Sequence, residues 1–206
     1  SVASLPTETG FGPLLDDPDG IIGLPEGFSY SIISRRGERM TDGFFVPALH
    51  DGMATFPGPD GMTLLVRNHE MTVRSGAADG AFGADLSLLD RLDRSLLYDA
   101  GSGELPALGG TTTLLYDTRR QRLVSHHLSL AGTLVNCAGG PTPWGSWVSC
   151  EEIVIGAEGP YAKEHGYNFE VTAGLDGLPV APVPLKAMGR FKHEAIAVHP
   201  ATGIVY

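Results

Sequence analysis

The densest group of side chains able to do chemistry lies in one short segment, residues 136–152. It carries Cys137, Cys150 and two adjacent acids, Glu151 and Glu152, around a stiff turn rich in Pro and Trp. A thiolate close to carboxylates suits a transition metal better than a plain calcium site. The segment therefore predicts a metal-ligand set, with a disulfide or two buried free thiols as the alternative.

Acids also stand at the ends of other strand-like stretches. Glu70 and Glu194 each end such a stretch, as Glu151 and Glu152 do. In a β-propeller, equivalent positions of different blades point toward one central channel, so these carboxylates are expected to converge. Several confined carboxylates stay ionised together only when cations neutralise them. Convergence therefore predicts bound metal, and the plain alternative is a solvated acid at each strand end.

The elements that must position these residues are predicted to be β-strands. The chain of 206 residues contains 28 Gly and 15 Pro, which imply many tight turns and few long helices. Strand, turn and strand follow one another at residues 52–67, 111–130 and 195–206. Recurring units of this kind predict an all-β protein with a β-propeller fold, whose blades take roughly 40–50 residues each.

Two regions are expected, an extended N-terminal segment at residues 1–23 and a partial β-propeller domain at residues 24–206. The alternating residues 28–33 predict a strand, and the leucine spacing at residues 85–98 predicts one short amphipathic helix, with a loop as the alternative. At propeller spacing the chain supplies about three to five blades. Because the sequence stops inside an apolar stretch at Tyr206, we expect an incomplete set of blades.

The charge and hydropathy of the sequence argue against nucleic acids and membranes as partners. The sequence has 14 Lys and Arg against 24 Asp and Glu, a net charge of −10, and its basic residues form no cluster of the kind that binds phosphate backbones. Its apolar runs are too short to cross a bilayer. We therefore expect no nucleic-acid partner and no membrane partner.

Motifs along the chain resemble those of the PhoX family of alkaline phosphatases. They occur in the family's order from residue 24 to residue 206. They are LPEGFSY at 24–30, DGMA at 51–54, RNHE at 67–70, GGTTT at 109–113, LAGT at 130–133, NCAGG at 136–140, TPWGSW at 142–147, CEE at 150–152 and HEA at 193–195. The resemblance covers about the first half of a typical member.

The resemblance implies a bacterial phosphomonoesterase built on a six-bladed propeller, with ferric iron and calcium in the channel. Carried over motif by motif, it implies that Cys137, Glu152 and Glu194 are catalytic metal ligands, and it leaves Glu70 as a further candidate ligand. It also implies export by the twin-arginine route and a periplasmic or extracellular location. We expect a monomer when the propeller is complete, and little activity from these 206 residues alone.

Two basic residues are candidates for substrate binding. Arg190 and Lys192 flank the HEA motif and stand two apart in a predicted strand at residues 188–192, so they are expected to share a face. They could bind substrate phosphate through charge-assisted hydrogen bonds. The alternative is that this face is exposed to solvent.

Two other functional classes stay open at this point. One is a non-catalytic, calcium-stabilised propeller that serves as a binding module. The other is a calcium-dependent propeller lactonase or phosphotriesterase, which would need no thiolate ligand.

Overall fold

The computed structural model describes residues 10–103, 105–177 and 179–206. The chain divides into two compact units, the first ending at residue 33 and the second covering residues 34–206. The larger unit contains every strand of the fold's two sheets.

The smaller unit is organised by a turn around Asp17. The Asp17 carboxylate accepts hydrogen bonds from the Tyr30 hydroxyl and from backbone N–H groups of its own turn, and these lower the pKa of Asp17 to about 2. A single bridge joins Leu15 to Leu24. The strand expected at residues 28–33 is wrong, because within the described chain this stretch pairs with no other strand.

The first sheet is an antiparallel meander of four strands. They are β1 at His50–Pro57, β2 at Thr63–His69, β3 at Gly109–Asp117 and β4 at Arg122–Thr133, and they lie in the order β1, β2, β3, β4. The first two predicted hairpins are confirmed, since β1 pairs with β2 and β3 pairs with β4. The turns use the expected chemistry: a 3-10 turn at Pro59–Gly61 follows β1, with Gly61 in the left-handed region.

The second sheet contains three antiparallel strands. They are β5 at Asn136–Pro141, β6 at Ser146–Glu151 and β7 at Asn168–Thr172, in that order. Gly145, at φ 88°, closes the turn between β5 and β6, where a residue with a Cβ would be strained. The all-β prediction is confirmed, whereas the propeller and its blade count stay predictions.

The helix expected at residues 85–98 is wrong. The stretch forms two separate 3-10 turns, Leu89–Arg91 and Arg94–Leu96. The Asp93 carboxylate accepts the N–H of Ser95 and starts the second turn, which interrupts any continuous helix. The leucine spacing instead reflects packing, because leucines from both turns contact the core beside the first sheet.

The third hairpin and the strand before it are reduced in the structure. A single bridge between Val198 and Val205 replaces the predicted hairpin strands. The strand predicted at residues 188–192 is wrong: the chain there leaves a 3-10 turn at Lys186–Met188 and continues without a ladder. Gly189, at φ 88°, turns the backbone away from the extended conformation that a strand needs.

Each face of the first sheet covers a separate core. Because side chains alternate along a strand, one face of the first sheet packs on the second sheet and the other packs on the loops at residues 40–48 and 81–97. The core between the two sheets contains Phe56, Leu64, Val66, Tyr98, Leu115, Leu130, Trp147, Tyr167, Phe169 and Val171.

Asn68 joins the two sheets through polar groups. Its side chain is fully buried and donates to the carbonyl oxygen of Ala138 at 2.7 Å. Its oxygen accepts hydrogen bonds from the Trp147 indole and the Ser149 hydroxyl, both at 2.9 Å. Every hydrogen-bonding direction but one of this amide is therefore used between β2 and the strands β5 and β6.

The start of β1 lies directly against β5. A Cβ added at Gly52 would stand 2.7 Å from the Cα of Ala138 and 2.9 Å from the carbonyl oxygen of Cys137. Both neighbours are backbone atoms, which cannot rotate away. The close approach of β1 to β5 therefore requires glycine at this position.

We expect Gly52→Ala to lower the free energy of unfolding by about 1–3 kcal/mol, because the new methyl group forces β1 away from β5. Urea denaturation measures the change. Gly76→Ala is the matched control, since a Cβ there meets nothing within 4 Å and the residue has no positive φ. Equal stability of the two variants would contradict this account of the contact.

Candidate functional site

Three acids and a thiol lie near one another where the first strands of the two sheets lie together. Asp51 lies in β1, Glu70 directly follows β2, Cys137 lies in β5 and Glu152 directly follows β6. Asp51 and Glu152 act electrostatically on both Glu70 and Cys137. We call these four residues the acid-thiol cluster.

Glu70 is the most crowded acid of the cluster. Burial raises the pKa of Glu70, and the charge of Asp51, a hydrogen bond with Asp51 and the charge of Glu152 raise it further. All of these charge contributions come from acids. A cation bound between them would remove the repulsion, so the arrangement favours a proton or a metal ion.

Cys137 is held as a buried thiol by two carbonyl groups. The residue is 6% exposed, and its Sγ lies 3.5 Å from the carbonyl oxygen of Glu194 and 3.6 Å from that of His193. Burial raises the pKa of Cys137 to about 11, and the charges of Glu152 and Asp51 contribute to the rise. A thiol in this position loses its proton only when a strong positive charge replaces it, as a metal ion does.

Asp51 does not fit the sequence pattern of acids at the ends of strands. It stands near the start of β1, but the antiparallel pairing of His50 with His69 brings the start of β1 beside the end of β2. Asp51 and Glu70 therefore share one edge of the sheet. In the sequence, the sign of this acid is the DGMA motif, in which Asp51 stands at the start of a strand and not after one.

Glu194 reaches the cluster through its backbone. Its carbonyl oxygen accepts from the Cys137 thiol, while its side chain is exposed and borders a cavity of about 440 Å³ shared with Phe191, Ile196 and Tyr206. Ligation by the Glu194 carboxylate stays a prediction.

The donor types of the cluster fit a metal centre, but the ligand set is open. Thiolate and carboxylate suit iron, and carboxylate oxygens suit calcium. Among the residues that the structure describes, no three His, Cys, Asp or Glu side chains are placed so as to hold one ion. The four residues of the cluster therefore supply donors without forming a complete coordination shell.

Glu151, the neighbour of Glu152 in the sequence, has a structural role. Glu151 is fully buried, and its Oε1 accepts from the ring of His165 at 2.7 Å and from the N–H of Leu134 at 2.9 Å. Its Oε2 accepts the N–H groups of Gly166 and Tyr167. Since all four of these bonds lie inside the protein, Glu151 is a structural acid, and Glu152 is the acid of this pair that belongs to the cluster.

The other ring nitrogen of His165 contacts a second buried carboxylate. His165 Nε2 lies 3.1 Å from Oδ2 of Asp99, and all three side chains are 0% exposed. Burial by itself would lower the pKa of His165, but the hydrogen bonds and charges of Glu151 and Asp99 outweigh it and raise that pKa. A doubly protonated His165 ring donates to both acids, with one hydrogen bond from each nitrogen.

The two basic residues predicted to bind substrate, and His69 beside Glu70, have different surroundings. The Arg190 guanidinium donates to the carbonyl oxygens of His165 at 3.0 Å and Ile155 at 2.6 Å, and Lys192 is exposed. Substrate binding by Arg190 and Lys192 stays a prediction, and the shared strand face expected for them is absent. His69 is a core residue, bonded to the carbonyl oxygen of Ala48 and the Thr112 hydroxyl.

The two cysteines do not form a disulfide in the structure. Cys137 and Cys150 are both buried and free. Burial raises the pKa of Cys150 to about 12, and the neighbouring Cys137 adds to the rise. The arrangement agrees with two reduced thiols of unequal surroundings, one beside the acids and one inside the second sheet.

None of the helices in the described part of the chain has the length and apolar character needed to span a membrane.

The Asp99, His165 and Glu151 network predicts a pH-dependent stability. The raised pKa of His165 stabilises the fold below its ordinary value of 6.5, and this contribution is lost as pH rises through the folded pKa. Burial works against the lowered pKa of Asp99, but N–H donors and His165 prevail. The stability from Asp99 is therefore present above 3.8 and lost as pH falls through the folded pKa.

We expect His165→Gln to lower the free energy of unfolding by about 3–5 kcal/mol, because it leaves buried carboxylates without their cation. Urea titrations at several pH values measure the difference from the parent chain. The difference should be largest between pH 3.8 and 6.5. A difference that grows steadily above pH 6.5 would contradict the charge assignment.

Comparison with known proteins places this sequence in a family. The family model of alkaline phosphatase PhoX matches residues 9–126 and 114–206. No curated protein matches the chain.

Among solved structures, the chain is similar to Pseudomonas fluorescens PhoX in complex with vanadate, a transition state analogue, with a TM-score of 0.53 and 18% sequence identity. The match covers 85% of this chain and 44% of that chain. The chain thus spans less than half the length of that structure, and at this identity the likeness supports the fold. Since the family model covers nearly the whole of the sequence, the chain belongs to the alkaline phosphatase PhoX family.

Proposed function

We propose that this chain supplies part of a metal-dependent centre that hydrolyses phosphate monoesters. The observation that carries the proposal is the convergence of Asp51, Glu70, Cys137 and Glu152, in which the largest charge effects on Glu70 and Cys137 come from other acids. Such a group is stable when cations neutralise it. Membership of an alkaline phosphatase family supports this reaction class.

The donors divide by chemistry. Cys137 and Glu152 are the proposed ligands of ferric iron, because iron accepts both thiolate and carboxylate. Asp51 and Glu70 offer oxygen alone, which suits calcium. Glu194 is proposed to complete the iron site by turning its exposed carboxylate toward Cys137.

Phosphate binding requires positive charge that this sequence does not provide by itself. With a net charge of −10, the protein repels a phosphate ester at long range. Iron and calcium, if held by these residues, would supply the Lewis acidity that withdraws charge from the phosphate oxygens. Cys137 would contribute by giving up its proton when a cation binds, and Glu70 would offer its carboxylate oxygens. The packed edge of β1 and β5 holds the thiol in place.

We expect purified chain to bind iron and calcium, and Cys137→Ser or Glu152→Gln to remove iron while calcium is retained. Elemental analysis measures both metals, and a thiolate-to-iron absorption band reports Cys137 directly. Cys150→Ser is the matched control, because it changes the other buried thiol and should leave iron bound. Equal loss of iron in the control would contradict the assignment, and calcium without iron in the parent would indicate the binding-module alternative.

Turnover is expected to be low for these 206 residues, because 44% coverage of the similar chain leaves more than half of that structure without a counterpart here. A chromogenic phosphomonoester measures the rate with both metals present. A rate equal to that of a full-length family member would contradict the expectation of low activity. Preference for a lactone or phosphotriester would favour the other enzyme class.

A further inference from the structure

We propose that His165 is a positioning residue for the acid-thiol cluster, which it holds in place through Glu151. The cation-binding part of this inference rests on the proposed function. The positional part concerns Cys137 alone and can be tested without metal.

The network of His165, Glu151 and Asp99 is rigid. His165 bonds Glu151 at 2.7 Å and Asp99 at 3.1 Å, and the rings of Tyr98 and Tyr161 pack edge-on against it at 5.4 and 5.5 Å. Both ring nitrogens face carboxylate oxygens, so both must carry protons. With no exposed atom in the three side chains, a lost bond cannot be replaced by solvent.

Asp99 and Glu151 each accept hydrogen bonds from several segments of the chain. Asp99 accepts the N–H groups of Gly101, Ala162 and Lys163, at 2.7 to 3.1 Å. Glu151 in turn accepts N–H groups from the loop before β5 and from the loop before β7. His165 is the group that links the two acids, so it fixes the end of β6 relative to three loops.

Backbone hydrogen bonds connect Glu151 to the acid-thiol cluster. The carbonyl oxygen of Glu151 accepts the N–H of His193 at 3.0 Å, and the carbonyl oxygens of His193 and Glu194 in turn face the Cys137 thiol. On the other side, the N–H of Glu152 donates to a backbone oxygen just before β5. A displaced Glu151 would therefore move Glu152 and uncover Cys137 together.

A residue that only stabilised the fold would not have this selective effect. His165 lies among buried tyrosines, outside the cluster, so its influence on Cys137 has to pass through the backbone of residues 151 and 193. Cys137 is 6% exposed as long as that backbone stays in place. The accessibility of the Cys137 thiol thus reports the position of Glu151.

The test compares His165→Gln with Leu128→Ala, both in the full 206-residue chain carrying Cys150→Ser. Leu128 is buried in the core on the other face of the first sheet, so its truncation costs stability without touching the network. Alkylation of Cys137 by iodoacetamide is followed without metal, under conditions where circular dichroism shows each variant folded. We expect at least a tenfold faster reaction in His165→Gln and a rate near the parent's in Leu128→Ala.

Metal affinity is the second measurement, with ferric citrate and calcium chloride as separate probes. His165→Gln should bind ferric iron about tenfold more weakly than Leu128→Ala. If the parent binds neither ion, the proposed function fails, while the alkylation rates still decide the position of Glu151.

Asp99→Asn provides a milder variant should His165→Gln not fold. It keeps the shape of the side chain and weakens one of the two bonds to His165, so an intermediate alkylation rate is expected. Equal rates in the parent and Asp99→Asn, or an equal rise in Leu128→Ala, would overturn the proposal.

Discussion

The structure depends on one buried amide that ties the two sheets together. Asn68 is fully buried, and its contacts with Ala138, Trp147 and Ser149 are hydrogen bonds across the interface between the sheets. A buried amide left without partners costs about 1–3 kcal/mol, so these bonds specify one register between β2 and the second sheet. Because Glu70 follows Asn68 by two residues and Cys137 precedes Ala138, this register also brings the acid and the thiol together.

The two adjacent acids at the end of β6 show how burial divides tasks between like residues. Glu151 is fully buried, and its carboxylate accepts hydrogen bonds from four donors, one of which is the His165 ring. Glu152 acts on Glu70 and Cys137 without a basic partner among their main charge interactions. The first acid stabilises the fold because its charge is neutralised, whereas the second leaves a negative charge to be neutralised by something bound.

Local patterns predicted the two hairpins of the first sheet and failed where packing decides the conformation. The hairpins around residues 57–63 and 117–122 were predictable, since their turn residues and alternation act over a few neighbours. The leucines of residues 85–98 have helical spacing, yet Asp93 starts a second, separate 3-10 turn while the leucines reach the core. At residues 188–192 the left-handed Gly189 overrides an alternation that suits a strand.

The sequence by itself determined the all-β class, the main hairpins and the types of donor that could form a metal centre. These features follow from residue chemistry and from contacts close in the chain. Tertiary structure alone decided that Asp51 joins Glu70, that Glu151 is structural while the charge of Glu152 acts on Cys137, and that Glu194 offers its carbonyl to the thiol. Each of these depends on which atoms distant in sequence become neighbours, and the close packing of β1 on β5 and the buried charges around His165 decide it.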